Sequence, residues 1–507
     1  MISPKLRLAK IALVASLSTA VTDAAGPVRV GRGVPQLLVD DALIESQSDV
    51  KRTLHQPVKE GGGHVPLIVP AAGKDLQAYG SIVYDRRISK YVMFMKEHIG
   101  GADFFLSTSS DGLRWEQTDR TSLVPVVFDT ALEPDPGSKR MGLDLFSCYY
   151  NEKDPEYPYQ GWLFFANYGL EKEGIYFVRS REGRKWERGR QIFSSFGGQG
   201  DTSSHTIQQG GKTVHGPGDV TIFSYDALED RYLGIFKFYR VTGRDRNANG
   251  YRSRAYLFFD RLDAPVDPRQ IKRIALLPSG AQARGDTPWD EYYASTAWRY
   301  GSHWLGGLKI YHAQGDYPYS SAGCAFLKFT ASRDGLEWSK VPFANDAGVP
   351  EVFLANGPEG GNDGRNDGGY ICEFSQGPLR IADELIYYYS ATSYGKKAPA
   401  ERRITGGGIF RARLRVDGFV SADWGTLTTR PMEFEGDRLL VNSTGPLNVS
   451  VLDPAGNVVG QAGISGDSIR NAVTFAGQSL RQVAGTKPVR LRFEVPAGSR
   501  LYSFTGN

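Results

Sequence analysis

Ser109-Ser110-Asp111-Gly112-Leu113-Arg114-Trp115 returns as Ser180-Arg181-Glu182-Gly183-Arg184-Lys185-Trp186 and again as Ser332-Arg333-Asp334-Gly335-Leu336-Glu337-Trp338. Each copy is Ser-x-acid-Gly-x-x-Trp, and the tryptophans lie 71 and then 152 residues apart. The second gap is close to twice the first, so one copy in the middle has lost its signature. Phe258-Phe259-Asp260-Arg261-Leu262 stands in the gap, and Arg415-Val416-Asp417-Gly418-Phe419 follows one period after the third copy. The period defines five units of roughly 75 residues, a length at which repeated strands pack as blades around an axis. The turn chemistry agrees: the Ser and acid side chains bond nearby backbone amides, Gly supplies the positive φ of a tight turn, and Trp packs between blades. The expected fold is all-β, a five-bladed β-propeller with a small C-terminal β-sandwich. These acids hold turns and are not expected to touch substrate.

Working outward, the hairpins repeat too. Gly80–Asp85 leads to Lys90–Lys96, and Val220–Asp226 leads to Arg231–Lys237; in both, an Asp precedes an aromatic by six residues and a Lys follows that aromatic by five. Ala294–Lys309 keeps the last relation through Trp304 and Lys309, while Trp162–Asn167 and Leu385–Ser390 are variants without the Lys. Apolar, β-branched and aromatic residues fill these runs, as strands require.

Near residue 430 the pattern changes to short alternating strands, such as Leu447–Leu452 and Val489–Val495, separated by Asp-Pro, Gly-Asn and Gly-Asp turns. We therefore expect a signal peptide over 1–25, an N-terminal extension packing on the propeller over 26–60, the propeller over 61–430 and a C-terminal β-sandwich over 431–507. The signal reading rests on Lys5, Arg7 and Lys10 ahead of an apolar run from Ile11 to Val21, with small residues at Ala20, Ala24 and Ala25. It implies a secreted or periplasmic protein. After that run no segment is apolar for long enough to span a bilayer. A net charge of +4, dispersed along the chain, gives no footprint for nucleic acid. Three cysteines, Cys148, Cys324 and Cys372, allow at most one disulfide, and buried thiols are expected.

Several stretches together resemble exported bacterial propeller proteins similar to glycoside hydrolase family 32 and the related families 43 and 68. They are Leu37–Glu45 with Thr53–Lys59, the Tyr79-Gly80-Ser81 strand, Asp111–Trp115, Asp417–Ser421, Arg490–Phe493 and Leu501–Phe504. The resemblance implies the propeller, a carbohydrate substrate and glycosidic bond cleavage. The chain departs from family 32 where that family carries its signatures. Asp75-Leu76-Gln77-Ala78-Tyr79-Gly80 replaces Asn-Asp-Pro, no Arg-Asp-Pro occurs, and Cys372-Glu373 reverses the Glu-Cys order.

In a propeller the innermost strand of each blade begins at the mouth of the central funnel, so acids just before those strands converge. Asp75 precedes the first, Asp144 the second, Asp219 the third, Asp290 and Glu291 the fourth, and Glu359, Asp363 and Asp367 the fifth. Asp219 and Glu291 both lie thirteen residues before the aromatic of the return strand. Glycoside cleavage needs one protonated and one ionised carboxyl group. We assign Glu291 as general acid, Asp144 or Asp75 as nucleophile or base, and Asp219 as a stabiliser or pKa modulator; the competing role of each is to cap a turn.

Lys96, Lys237 and Lys309 occupy equivalent positions and would ring the same mouth, either neutralising these acids or recognising an anionic sugar. His215, in the loop that presents Asp219, is a candidate hydrogen-bond partner for substrate. No zinc spacing occurs. No cofactor or catalytic metal is expected, although the acids of the mouth would admit a structural calcium. Two other functions compete with a glycosidase: a non-catalytic carbohydrate-binding propeller, which would lose the paired acids, and a sialidase-like enzyme, suggested by the Ser-x-Asp-Gly-x-x-Trp turn.

Overall fold

The computed structural model describes residues 26–507 except 73, 79–81, 98–102, 134–141, 167, 169–171, 195–204, 240–251, 279–284, 314–322, 361–365 and 399–406. The signal reading over 1–25, the Tyr79-Gly80-Ser81 strand and Asp363 thus lie outside the described residues. The chain is nearly all β, with strands curled into near-barrel sheets.

Among the described residues the pairings group into successive antiparallel meanders. The first runs through Ile82–Asp85, Lys90–Glu97, Asp103–Ser109 and Val124–Phe128. The second runs through Gly142–Tyr150, Tyr159–Ala166, Gly174–Ser180 and Lys185–Ser194. Ile222–Asp226, Arg231–Phe238 and Ser253–Phe259 form the next. Asp290–Ser295, His303–His312 and Cys324–Ser332 form another, edged by Val352–Leu354. In the last, Tyr370–Phe374, Glu384–Thr392 and Gly408–Arg415 are completed by Val58–Lys59 from the far end of the chain.

The recurrent turn is built as its chemistry dictates. In the first copy the Gly112 amide donates to Ser109 Oγ at 2.9 Å, and the Leu113 and Arg114 amides donate to Asp111 Oδ1 at 2.8 Å each. The third copy repeats this with Gly335 to Ser332 Oγ at 2.8 Å and the Leu336 and Glu337 amides to Asp334 Oδ1 at 2.8 Å. Gly112, Gly183 and Gly335 have φ of 72°, 82° and 79°, which a side chain disfavours.

Each turn delivers its indole to a neighbouring meander. Trp115 meets Tyr388 edge to face with ring centroids 5.5 Å apart, Trp186 meets Phe94 at 5.7 Å, and Trp338 stacks on Tyr256 at 4.7 Å. The contact of Trp115 with Tyr388 joins the first meander to the last, and the Tyr388 hydroxyl donates to the Gly112 carbonyl. Burying a large apolar side chain at such a junction is worth about 3 kcal/mol.

The C-terminal sheet recruits both ends of the chain. Val420–Thr429 pairs with Ile44–Leu54, with Arg490–Val495 and, at one position, with Arg500–Gly506. Gln36–Leu37 adds to Arg500–Gly506, and Val28–Val30 runs parallel to Met432–Phe434. By pairing, this sheet reaches back before residue 430 and takes in much of the N-terminal extension. Its apolar faces, including Val441, Val449, Leu491 and Phe493, join one continuous core with Trp298, Phe329, Phe374 and Tyr387 of the last two meanders. Among the described residues no helix is long and apolar enough to cross a membrane.

Candidate functional site

The leading strand of three meanders is interrupted, in two of them beside the candidates Asp144 and Glu291. The register slips between Asp144 and Ser147, between Tyr292 and Ala294, and between Ile371 and Glu373. A bulge of this kind adds a residue on one side of the ladder and re-aims side chains, a device common next to active sites. In the first of these Leu145 takes a positive φ of 52° directly after Asp144.

Asp219 and Glu291 belong to one cluster of charges. Asp219 is about a third exposed and forms an ion pair with Lys237, and its Oδ1 accepts the Val220 amide at 2.9 Å. Glu291 is ion-paired with Arg252, whose guanidinium carbon lies 4.7 Å above the Tyr293 ring. The Tyr293 hydroxyl accepts a hydrogen bond from Lys396 Nζ at 3.1 Å. Lys309, buried in the strand His303–His312, puts its ammonium 4.9 Å over the Tyr293 ring and 4.3 Å over the Tyr370 ring. Tyr311 closes this wall, 5.6 Å from Tyr293 and 6.2 Å from Tyr370 between ring centroids.

For Asp219, Glu291, Lys237 and Tyr293 burial is set against the local charges, and the outcome differs from group to group. For Asp219 burial pushes the carboxyl up, but Lys237 and Arg252 outweigh it and hold the group below its ordinary value. For Glu291 burial prevails over the pull of Arg252, Lys237 and Lys397, so its carboxyl is raised. Burial pushes the Lys237 ammonium down against the support of Asp219. Burial would also push the Tyr293 phenol up, yet Lys396, Arg252 and Lys237 together bring it down to about 8. Two carboxyl groups with pKa values driven apart are the ingredients of acid and base chemistry at one site.

The other sequence candidates have these partners. Asp144 accepts an ion pair from Lys96 Nζ at 2.9 Å and the Leu145 amide at 2.9 Å. Asp75 is buried beside Gln77, which stands opposite Lys96 in the ladder. His215 lies on the hairpin His205–Gln209 and Lys212–Gly216, its Nδ1 3.0 Å from Thr206 Oγ1. Asp290 holds His312 Nδ1 at 2.6 Å and the Thr287 amide at 2.8 Å. Glu359 accepts the Gly395 amide at 2.8 Å, and Asp367 is ion-paired with Lys59. Two of the three repeated lysines, Lys96 and Lys237, are thus held by acids, and Lys309 rests on aromatic faces. Among the described residues no cluster of three or more His, Cys, Asp or Glu is placed to hold a metal ion. Cys148 is a buried free thiol.

No family profile and no curated protein match the chain. Solved structures do match it. They include a glycoside hydrolase family 43 arabinoxylan arabinofuranohydrolase from Bacillus subtilis in complex with cellotetraose, with a TM-score of 0.36, 11% identity and coverage of 89% of this chain and 99% of that one. A structure from the family 130 mannoside phosphorylases and glycoside hydrolases matches with a TM-score of 0.42, 14% identity and coverage of 72% and 94%. An N-acetylgalactosamine deacetylase from F. plautii, in complex with blood group B trisaccharide, matches with a TM-score of 0.41, 14% identity and coverage of 75% and 97%. Two of these three are glycoside hydrolase structures, from families 43 and 130, and none is from family 32.

Sequence reasoning paired Asp219 with Glu291 but missed Arg252, Tyr293, Tyr370 and Lys396. Arg252 stands just ahead of the strand Ser253–Phe259, outside the repeat pattern used to find the lysines. The bulge that turns Tyr293 toward the cations has no mark in the sequence. The one available signal was Glu291-Tyr292-Tyr293, an acid and an aromatic two apart at the start of a strand, positions that share a face in a regular strand.

Proposed function

We propose that the chain is an exported, five-bladed propeller glycosidase that hydrolyses a glycosidic bond in an acidic oligo- or polysaccharide. The observation that carries this reading is the placement of Asp219 and Glu291 in one cation-rich cluster, each paired with its own cation, Lys237 and Arg252. Glu291, whose raised pKa keeps its proton to higher pH, protonates the departing glycosidic oxygen. Asp219, held ionised by Lys237, stabilises the positive charge that develops on the sugar ring in the transition state. The contact of Trp115 with Tyr388, which joins the first meander to the last, supports the five-bladed arrangement. The basic and then apolar stretch from Lys5 to Val21 supports export.

Preference for an acidic sugar rests on the cations. Lys309, Lys396 and Arg252 surround aromatic faces suited to a sugar ring, and a carboxylate or sulfate there meets a favourable field. Asp144 with Lys96, beside Asp75, is the second carboxylate group of the proposed funnel and a competing source of the ionised partner.

The test is hydrolysis of matched neutral and acidic glycans by the mature chain, beside Glu291→Gln, Asp219→Asn and Asp144→Asn. Release from acidic glycans that falls at least about a hundredfold in folded Glu291→Gln is the expected result. Glycan binding without release, unchanged in all three variants, would move the protein to the carbohydrate-binding class.

A further inference from the structure

The glycosidase reading leaves open which group receives the proton of the attacking water, and the cluster holds a group that neither the repeat nor the paired acids predicted. Tyr293 is the bulged residue between Tyr292 and Ala294, whose neighbours pair with Ile310 and Lys309 while it is left out of the ladder. Such a residue is free to leave the alternation of its strand. Its phenol points into an array of cations drawn from separate elements. Lys396, from the segment after Glu384–Thr392, donates to its oxygen at 3.1 Å, Arg252 lies 4.7 Å above its ring, and Lys309 lies 4.9 Å from the ring centroid. Lys237 also acts on it favourably, and Asp219 opposes. Glu291 stands two residues earlier on the same strand, and Lys397 adds a further cation acting on Glu291. Tyr370 and Tyr311 supply the apolar walls. Tyr293 is itself only partly buried and Lys396 is exposed, so the phenol oxygen lies where the cluster meets solvent.

We propose that Tyr293 is a catalytic residue of this site, its phenolate oxygen taking a proton from the water that attacks the sugar. This rests on the glycosidase reading given above. The water O–H bond breaks with its proton passing to Tyr293 Oη, and the water oxygen forms the new bond to the anomeric carbon. The glycosidic C–O bond breaks as its oxygen takes the Glu291 proton. Tyr293 ends as a neutral phenol and Glu291 as a carboxylate; exchange with solvent restores both. A phenol suits this position because its basic form is stabilised by the cations that hold the acid group of the substrate. The balance of burial against Lys396, Arg252 and Lys237 brings its ionisation to about 8, within reach of neutral operation.

Two measurements on the full mature chain test this. The first needs no substrate: ultraviolet titration of tyrosinate absorbance in wild type, Tyr293→Phe and Lys396→Met. The expected result is one tyrosine ionising near pH 8 in wild type, absent from Tyr293→Phe and shifted to higher pH in Lys396→Met. An unchanged titration in Tyr293→Phe overturns the proposal whatever the enzyme does. The second is the pH dependence of kcat on an acidic glycan that wild type cleaves. Tyr293→Phe is expected to lose about a hundredfold or more in kcat with KM little changed, and to lose the limb near pH 8. A Tyr293→Phe enzyme that is folded, keeps its kcat and keeps that limb overturns the catalytic role. Absence of hydrolysis by wild type across the glycan panel overturns the glycosidase reading and this role with it, even where the titration finds the phenolate.

Discussion

Replacing Gly335 by Ala tests the recurrent turn on which the fold reading stands. Gly335 has a φ of 79°, and a Cβ built there would lie 2.7 Å from Phe258 Cζ and 3.0 Å from Trp304 Nε1. The left-handed backbone alone costs a residue with a side chain about 1–2 kcal/mol. Crowding against two large rings adds about 1–3 kcal/mol, because Trp304 is almost fully buried and has little room to yield. The sum is about 2–5 kcal/mol. Gly348 separates the two contributions: its φ is 78°, but a Cβ there would meet nothing within 4 Å. Gly348→Ala should therefore cost only the backbone part, about 1–2 kcal/mol. For a chain of 507 residues the unfolding entropy is about 1 kcal/mol/K, so each kcal/mol moves Tm by about 1 °C. Scanning calorimetry of the two variants should show Gly335→Ala displaced by about 2–5 °C and Gly348→Ala by about 1–2 °C. Equal displacements would refute the claim that this turn is pressed against the neighbouring meander.

Two further outcomes follow from the packing. Asp85 is almost fully buried and accepts hydroxyl donations from Tyr150 at 2.8 Å and Tyr159 at 2.6 Å, beside Arg87; burial opposes these partners, which nonetheless lower its carboxyl from 3.8 to about 2. A depressed carboxyl stabilises fully above its ordinary pKa and loses that contribution as pH falls through the folded value. Between pH 4 and 2, wild type should therefore lose about 1–2 kcal/mol that Asp85→Asn does not lose, read by urea unfolding at each pH. Removing residues 26–60 takes Val58–Lys59 from the last meander and Ile44–Leu54 from the C-terminal sheet; the truncated chain should be aggregated or protease-sensitive, and a stable, soluble truncation would contradict this interlocking.

The turns were legible because their chemistry is local. Ser109, Asp111 and Gly112 lie within four residues, and the bonds that shape the turn run between groups close by in the chain. The hairpin returns of the first, third and fourth units were legible through the same short range, as was the placement of Asp219 and Glu291 ahead of their return strands. The strands Val58–Lys59 and Ile44–Leu54 were not, because their partners are more than 300 residues away and nothing in their own composition names an address. Arg252 and Tyr293 escaped for a different reason. A bulge is a backbone event set by the fit of two strands, and the cations it gathers around Tyr293 come from four separate stretches of chain. The lysine repeat identified residues that share a place in the fold, but not the acids that Lys96 and Lys237 meet or the tyrosine rings under Lys309.

The central claim is that Glu291 and its cationic, aromatic surroundings form the cleavage site for an acidic glycan. The measurement that tests it most directly is a crystal structure of Glu291→Gln bound to an acidic oligosaccharide that wild type cleaves. The account predicts the scissile oxygen within hydrogen-bond reach of the residue 291 side chain, with the acidic group of the sugar among Arg252, Lys309 and Lys396. Oligosaccharide seated instead beside Asp144 and Lys96, or on the C-terminal sheet, would contradict it.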